Sequence, residues 1–276
     1  MVDLSKAPYH FALHFEEGVT ARAWLNDLPI HKVPRPGPDS MSGGANHLLV
    51  PGRNKLALEV WHLPPAPPIV PLPSGDKPVR IVPVGMKIYQ VVDASVEPIQ
   101  IAELTSVNLP FDIPLRPGES VEMPLYHELE FDLPFPVTEP VFWRAKSHEV
   151  PCAGTPELHR LVTDVHTALV ERNLRNFVEL LSLKYESYSA AYPGEPAAAV
   201  DRQRSAAERF FALAVRVKPL DLTKVHFEPR LNGRVIYVSG WDDRPVLEAV
   251  ADDLPGVALR ANLLITDLDG QFRIFG

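Results

Sequence analysis

The sequence predicts two domains, an N-terminal antiparallel β-sandwich and a C-terminal α+β domain with three helices on a curved antiparallel sheet. Of the 30 prolines, 23 precede Thr155 and 7 follow it. Because proline removes a backbone donor and fixes φ, the earlier part is confined to strands, turns and extended chain. Apolar residues alternate with a period of two before Thr155 and take helical spacing directly after it. We therefore expect domains at residues 1–150 and 155–276.

The composition argues against several classes of partner. The formal net charge is −8 and the pI is about 5.7, whereas nucleic acids and anionic membranes bind clustered Lys and Arg. The sequence has no apolar run long enough to cross a membrane, and its first residues do not resemble a signal peptide. The single cysteine, Cys152, is typical of a reducing compartment and has no base near it in sequence. We therefore expect a cytoplasmic protein that binds neither nucleic acid nor membranes.

The first half predicts strands separated by proline-rich connections. Alternating side chains predict strands at Tyr9–Glu16 and Val19–Leu25. Pro34–Ala45, with three prolines, three glycines and two serines, predicts a loop. Leu63–Pro73 holds six prolines in eleven residues and predicts extended chain, either a rigid crossover between sheets or a docking segment. Strands resume at Val79–Val92, where Pro83 and Gly85 indicate an edge or a bulge.

Two motifs of the first half resemble a known fold. Ala23–Ile30 reads AWLNDLPI, and Leu48–Val60 reads LLVPGRNKLALEV. Together they resemble the central strands of galactose-binding-like jelly-roll domains, although Asp27 stands where that family usually has glycine. The resemblance implies a β-sandwich and offers carbohydrate binding by the N-terminal domain as one alternative function.

Ser120–Asp132 has the most regular strand pattern of the chain. One face carries Val121, Met123, Leu125, His127, Leu129 and Phe131, and the other carries Glu122, Pro124, Tyr126, Glu128, Glu130 and Asp132. The acidic face is either a solvated surface that discourages aggregation or a docking face for a basic protein. The candidate binding residues are therefore Glu122, Glu128, Glu130 and Asp132. We expect His127 to be a hydrogen-bonded core residue and Val141–Arg144 to be the last strand of the sandwich.

Three helices are predicted after Thr155. Thr155 is a good N-cap, and Pro156 suits the first helical position. The first helix carries an apolar stripe of Leu158, Leu161, Val162, Val165 and Leu169. Asn173 caps or kinks a second helix that ends at Tyr192, and Pro196 begins a third that runs to about Val217.

The last part predicts an antiparallel meander. Val225–Leu231 and Arg234–Ser239 flank Asn232-Gly233, a dipeptide typical of two-residue hairpin turns. Val246–Ala251 predicts a short strand, and Val257–Thr266 and Gln271–Phe275 flank a second turn at residues 267–270. Helices followed by such a sheet predict an α+β domain with the helices on one face.

The segment Asn173–Leu181 and the closing segment Thr266–Phe275 are similar to the cone-shaped nuclear-transport-factor-like fold. This resemblance implies either protein binding or a small apolar ligand held between helices and sheet. Its nearest catalytic candidates are Tyr185, Tyr188 and Asp243, with Tyr237 and Trp241 as binding candidates. A carboxylate beside phenolic donors could abstract a proton and stabilise an oxyanion. The alternative is that the tyrosines are core residues whose hydroxyls reach the rim.

The remaining polar motifs favour structural roles. His159 and His166 lie seven residues apart on the first helix, about 10 Å along its axis, which is long for ligands of one metal ion. Asp267-x-Asp269-Gly270 lacks the further ligands of a calcium loop and is explained by a hairpin turn. The sequence contains no nucleophile elbow, Walker loop, dinucleotide fingerprint or zinc-ligand spacing. We therefore expect no metal and no cofactor.

The functional hypothesis that follows is a non-catalytic interaction protein that presents an acidic surface to a protein partner. A bacterial immunity or adaptor protein that neutralises a basic effector is one concrete form of it. The rival is a small-molecule enzyme or carrier that uses a pocket of the C-terminal domain.

Overall fold

A computed structural model describes residues 7–15, 20–32, 39–62, 84–91, 101–109, 124–192, 196–241, 244–254 and 258–276. The chain divides into two compact units, Met1–Val137 and Thr138–Gly276. This division precedes residue 150, so residues 138–150 belong to the unit that contains the helices. Within the described ranges, no helix is long and apolar enough to cross a membrane.

The described part of the first unit consists of two four-stranded antiparallel sheets. One has the order β4-β1-β6-β7, and the other, called here the β8 sheet, has the order β3-β2-β5-β8. Each sheet buries a row of apolar side chains on alternate residues, as period-two patterning predicts. The strands are β1 (Tyr9–Phe15), β2 (Thr20–Leu25), β3 (Leu28–Lys32), β4 (Asp39–Gly44), β5 (Arg53–His62), β6 (Val84–Val91), β7 (Ile101–Leu109) and β8 (Leu125–Asp132).

Two expectations for this part of the chain are wrong. Pro34–Ala45 is not all loop, because its second half forms β4, which pairs with β1. Gly43 lies opposite Phe11, and a Cβ at Gly43 would come 2.9 Å from the Phe11 ring. Glycine therefore makes room for the ring, a role that composition alone does not reveal.

The second wrong expectation concerns Val141–Arg144, which is a short 3-10 helix and belongs to the second unit. The proline-rich segment Leu63–Pro73 lies outside the described residues.

A buried pair of amides joins the Asn26-Asp27 turn to the start of β5. The side chains of Asn26 and Asn54 are hydrogen-bonded at 2.7 Å, and both residues are buried. The Asn54 side chain also accepts a hydrogen bond from the Val50 N–H at 2.9 Å and donates one to the Val50 carbonyl at 3.0 Å. Asn26 donates to the Leu48 carbonyl and accepts from the Lys55 N–H. The network explains the asparagine of the Pro-Gly-x-Asn motif, since its amide forms hydrogen bonds with the loop backbone.

The Asn26-Asp27 turn is a two-residue hairpin connection between β2 and β3. Both residues have positive φ, 52° and 60°, the conformation that such turns require. Asp27 therefore adopts the conformation for which the jelly-roll family usually has glycine, and its carboxylate binds Lys55 Nζ at 2.8 Å.

The second unit contains four helices among its described residues, so the expectation of three is wrong. They are α1 (Pro156–Val170), α2 (Leu174–Leu180), α3 (Ser182–Ala191) and α4 (Pro196–Ala212). The expected N-caps Thr155 and Asn173 accept hydrogen bonds from Leu158 N and Asn176 N. The expected second helix is interrupted at Leu181, where φ is −95° and ψ is 13°. Leu181 and Leu183, at and just after the interruption, are both buried.

The third expected helix ends five residues early, at Ala212 instead of about Val217. Val215–Val217 instead forms β9, which pairs with β12 (Leu247–Ala251). The guanidinium of Arg172 donates to the carbonyls of Phe211 and Leu213, at 3.0 and 2.7 Å. A cation at a helix C-terminus satisfies exposed carbonyls, so the end of α4 is fixed by a contact 39 or more residues away in sequence.

The strands of this unit form two antiparallel sheets with the orders β10-β11-β14-β15 and β13-β12-β9. The helices share one apolar core with β10, β11, β14 and β15. The connection at Asn232-Gly233 has four residues instead of the expected two, because Arg230 pairs with Val235. The remaining strands are β10 (Val225–Arg230), β11 (Val235–Gly240), β13 (Ala258–Ala261), β14 (Leu263–Leu268) and β15 (Gln271–Ile274).

We expect Asn54→Ala to lower the free energy of unfolding of the first unit by about 2–4 kcal/mol, because it leaves Asn26 and the Val50 backbone without buried partners. Urea denaturation measures the change. Asn176→Ala is the control, since that half-buried side chain has no described hydrogen bond, and it should cost about 0.5 kcal/mol or less. Equal effects of the two substitutions would show that the network is not stabilising.

Candidate functional site

The acidic row of β8, here Glu128, Glu130 and Asp132, lies on the outer face of the β8 sheet. β8 is the last strand in that sheet's order, and its described neighbour is β5. Cations of β5 bind two of the three acids, Lys55 to Glu128 at 3.2 Å and Arg53 to Glu130 at 3.1 Å. The structure therefore brings these binding candidates together but partly neutralises them. The fourth candidate, Glu122, lies outside the described residues.

This outer face keeps a residual negative charge. Five described carboxylates lie on it or beside it, against four described cations, which leaves one negative charge. Burial lowers the pKa of Lys55, but hydrogen bonds to Asp27 and Glu128 outweigh burial and raise it. Lys55 therefore stays protonated and holds both acids. The carboxylates are Asp27, Glu59, Glu128, Glu130 and Asp132, and the cations are Arg22, Arg53, Lys55 and, opposite Arg22 on β3, Lys32.

The opposite face of β8 is incompletely covered. On β5 the residues of that face, Leu56 and Leu58, are fully buried. On β8 their cross-strand neighbours are Leu129, which is half-buried, and His127, which is exposed. The expectation that His127 is a core residue is therefore wrong, because the core covers β5 but not the edge strand beside it.

Tyr126 extends the acidic row at the start of β8. Its side chain is 56% exposed, and its hydroxyl donates to Glu128 Oε2 at 2.9 Å. Partial burial and the adjoining Glu128 carboxylate raise the pKa of Tyr126. The surface therefore offers an exposed aromatic ring next to carboxylates, a combination suited to contacts with Lys or Arg.

The predicted catalytic tyrosines of α3 have core surroundings. Tyr185 is buried among residues of the helix-sheet core that include Phe177 and Leu181. Tyr188 is half-buried and its ring stacks on Tyr192 at 5.9 Å between centroids. Burial raises the pKa of Tyr188 to about 12 and lowers the pKa of Lys184, one turn earlier on α3. A phenol with so high a pKa is a poor proton donor near neutrality.

Tyr237 and Trp241 do not join these tyrosines. Ile236 and Val238 belong to the helix-sheet core, so Tyr237 between them points to the other face of the sheet. There its hydroxyl accepts a hydrogen bond from Asn262 Nδ2 at 2.5 Å. Trp241 is 63% exposed, and the predicted carboxylate Asp243 lies outside the described residues. The described side chains therefore do not assemble the acid and phenol set predicted for a cone-like enzyme.

One group of side chains that the sequence does not indicate surrounds Cys152. The thiol lies 4.0 Å from His226 Nδ1, and the His226 ring packs on Trp241 at 5.1 Å between centroids. The Phe227 N–H donates to the Cys152 carbonyl, which fixes the turn against β10. Local sequence patterns carry no signal for this base, because 74 residues separate the two side chains.

A second such group is a histidine-carboxylate pair at the ends of two hairpins. His148 Nε2 and Asp267 Oδ2 are 2.5 Å apart, and Asp267 is 5% exposed. Residues Lys146–His148, called here the strap, donate backbone hydrogen bonds to the Asp267 and Gly233 carbonyls at 3.1 and 3.0 Å. The pair therefore closes the strap over both hairpins, a structural role. Across the described ranges, no group of three or more His, Cys, Asp or Glu could hold a metal ion.

Comparison with protein-family models, curated proteins and solved structures found no match for this chain. The jelly-roll and cone-like resemblances therefore stay predictions, and the geometry of the chain carries the functional argument.

We expect Gly233→Ala to destabilise the second unit by about 2–4 kcal/mol, because a Cβ there would collide with the backbone carbonyl of His148 in the strap. Gly270→Ala is a matched control. Gly233 and Gly270 have φ of 79° and 81°, but a Cβ at Gly270 would meet nothing within 4 Å. The control should cost about 1–2 kcal/mol, the strain of a positive φ alone. Thermal unfolding compares them, and equal losses would exclude close packing of the strap on Gly233.

The raised pKa of Tyr188 predicts loss of stability in alkali. The folded state holds the phenol proton up to a pKa of about 12, whereas the unfolded chain releases it near 10. The stabilisation is therefore complete below pH 10 and falls as pH rises through 12, by at most about 2–3 kcal/mol. Tyr188→Phe should flatten the dependence of unfolding free energy on pH above 10. Tyr126→Phe should flatten it less, because solvent screens the smaller effect of a phenol that is 56% exposed, and equal slopes in all three proteins would contradict the assignment.

Proposed function

We propose that this chain is a non-catalytic interaction protein that binds a basic protein partner through the acidic row of β8. The observation that carries the proposal is the exposed strand β8, where Glu128, Glu130 and Asp132 share a face with the exposed ring of Tyr126. The residual negative charge of that face attracts cations over about a Debye length. The net charge of −8 acts in the same direction.

The chemistry of the other candidates favours structural roles, which supports a binding function over catalysis. Tyr185 is a core residue, and Tyr237 faces the other side of the sheet. The His148–Asp267 pair closes the strap. Among the described residues, β8 brings together exposed carboxylates, an exposed aromatic ring and half-buried apolar side chains. An immunity or adaptor protein that neutralises a basic effector would use such a surface.

We also infer that the two sheets of the first unit form a jelly-roll sandwich and that the second unit has a cone-like fold. The first inference is supported by the Asn54 network, which occupies the Pro-Gly-x-Asn motif of the jelly-roll resemblance. The second is supported by the apolar core that α1–α3 share with β10, β11, β14 and β15.

Charge reversal tests the proposed surface. We expect Glu128→Lys with Glu130→Lys to abolish capture of the partner, because both attraction and the geometry set by Lys55 and Arg53 are lost. Affinity capture from lysate followed by mass spectrometry compares this variant with the wild type. The matched control, Glu171→Lys with Asp201→Lys, changes the net charge equally on exposed residues of the second unit.

Proteins captured by the wild type and the control but lost from the β8 variant would support the proposal. Capture of the same proteins by the wild type, the β8 variant and the control variant would show that β8 is not the binding site. Urea denaturation of each variant shows whether a loss reflects unfolding, since the reversal also breaks two surface ion pairs, each contributing about 0–1 kcal/mol.

A further inference from the structure

β8 has an edge that the described strands leave open. In the order β3-β2-β5-β8 its described neighbour lies on one side. In an antiparallel pair, alternate residues direct their backbone N–H and carbonyl groups away from the partner strand. Along the far side of β8 these groups can pair with another extended chain.

The side chains on both faces of β8 are also only partly covered at this edge. On the outer face, Glu130 remains 56% exposed and Glu128 37% exposed although each has a cation on β5. On the inner face, Leu129 and Phe131 are half-buried, whereas Leu56 and Leu58 beside them on β5 are fully buried. A further strand beside β8 would cover the apolar row and face the acidic row at the same time.

We propose that the partner binds as an added strand on β8, through an extended segment in which Lys or Arg alternates with apolar residues. This inference rests on the proposed function, which assigns the acidic row to a basic partner, and it adds the conformation and residue pattern of that partner. Such strand addition gains affinity from main-chain hydrogen bonds and specificity from alternate side chains.

β5 shows that such charges can meet between adjacent strands. Lys55 lies opposite Glu130 but binds Glu128, and Arg53 lies opposite Asp132 but binds Glu130. Each cation thus reaches the acid two residues along, the diagonal contact open to long side chains. A strand on the other side of β8 with cations two residues apart can make the same contacts, since neighbouring strands are about 4.8 Å apart.

A second copy of this chain fits the edge poorly. Pairing two β8 strands antiparallel places carboxylates of one copy opposite those of the other, because Glu128, Glu130 and Asp132 occupy successive positions of the same face. Like charges directly across a sheet are destabilising. The charge pattern therefore favours a basic strand from another protein.

Synthetic peptides test strand addition separately from charge attraction. The probes are an eight-residue peptide with alternating Lys and Val, a block peptide with the same four Lys followed by four Val, and two N-methylated forms of the alternating peptide. One form is methylated on the Lys residues and the other on the Val residues, so that only one blocks the N–H groups facing β8. Isothermal titration measures each affinity for the full chain at low salt.

We expect the alternating peptide to bind about tenfold tighter than the block peptide, and one N-methylated form to lose about tenfold while the other keeps its affinity. Equal affinities of all four peptides, abolished by Glu128→Lys with Glu130→Lys, would overturn strand addition and leave the proposed function standing. Absence of binding by any peptide to the wild type would overturn both. A free protein that sediments as a dimer, and as a monomer after Leu129→Arg, would assign the edge to a second copy and also overturn the inference.

Discussion

The hydrogen-bonded amides of Asn26 and Asn54 determine how the first unit presents its surface. Each amide has donors and acceptors at fixed positions, and here they bind each other and the backbone of Leu48, Val50 and Lys55. In the observed placement of β5 against the turn, all of these amide groups are hydrogen-bonded. Because they are buried, a placement that left one of them without a hydrogen bond would be destabilised. β5 lies between β2 and β8, so its placement also fixes where Lys55 and Arg53 meet the acidic row.

The electrostatics of that row show why position in the sheet matters more than charge count. The acidic face attracts a basic partner less strongly than its number of carboxylates indicates. Lys55 and Arg53 of the neighbouring strand already neutralise part of its charge. We place the proposed site here because β8 is the last described strand of its sheet and the side chains of Leu129 and Phe131 are only half-buried. In the proposed binding mode, charge directs the encounter, main-chain pairing adds affinity, and the alternating side chains add specificity.

Several polar groups of the second unit fix its own architecture. Arg172 caps α4, the strap joins two hairpins, and the Asn262 amide binds the hydroxyl of Tyr237. Tyr185, one of the tyrosines predicted as catalytic, lies in the core, and the binding candidate Tyr237 points to the other face of its sheet. A tyrosine stripe at helical spacing is equally compatible with a pocket and with a core, and here the packing around Tyr185 favours the core.

The sequence by itself determined the features that depend on neighbours along the chain. These include the period-two strands, the Thr155 and Asn173 caps and the positions of the two hairpin turns. Tertiary structure decided the features that depend on distant contacts. Gly-rich β4 forms because β1 pairs with it, Leu181 at the helix break is buried, and His127 is exposed because β8 is the last described strand of its sheet. The His148–Asp267 and Cys152–His226 pairs join residues 119 and 74 positions apart, distances over which local patterns carry no information.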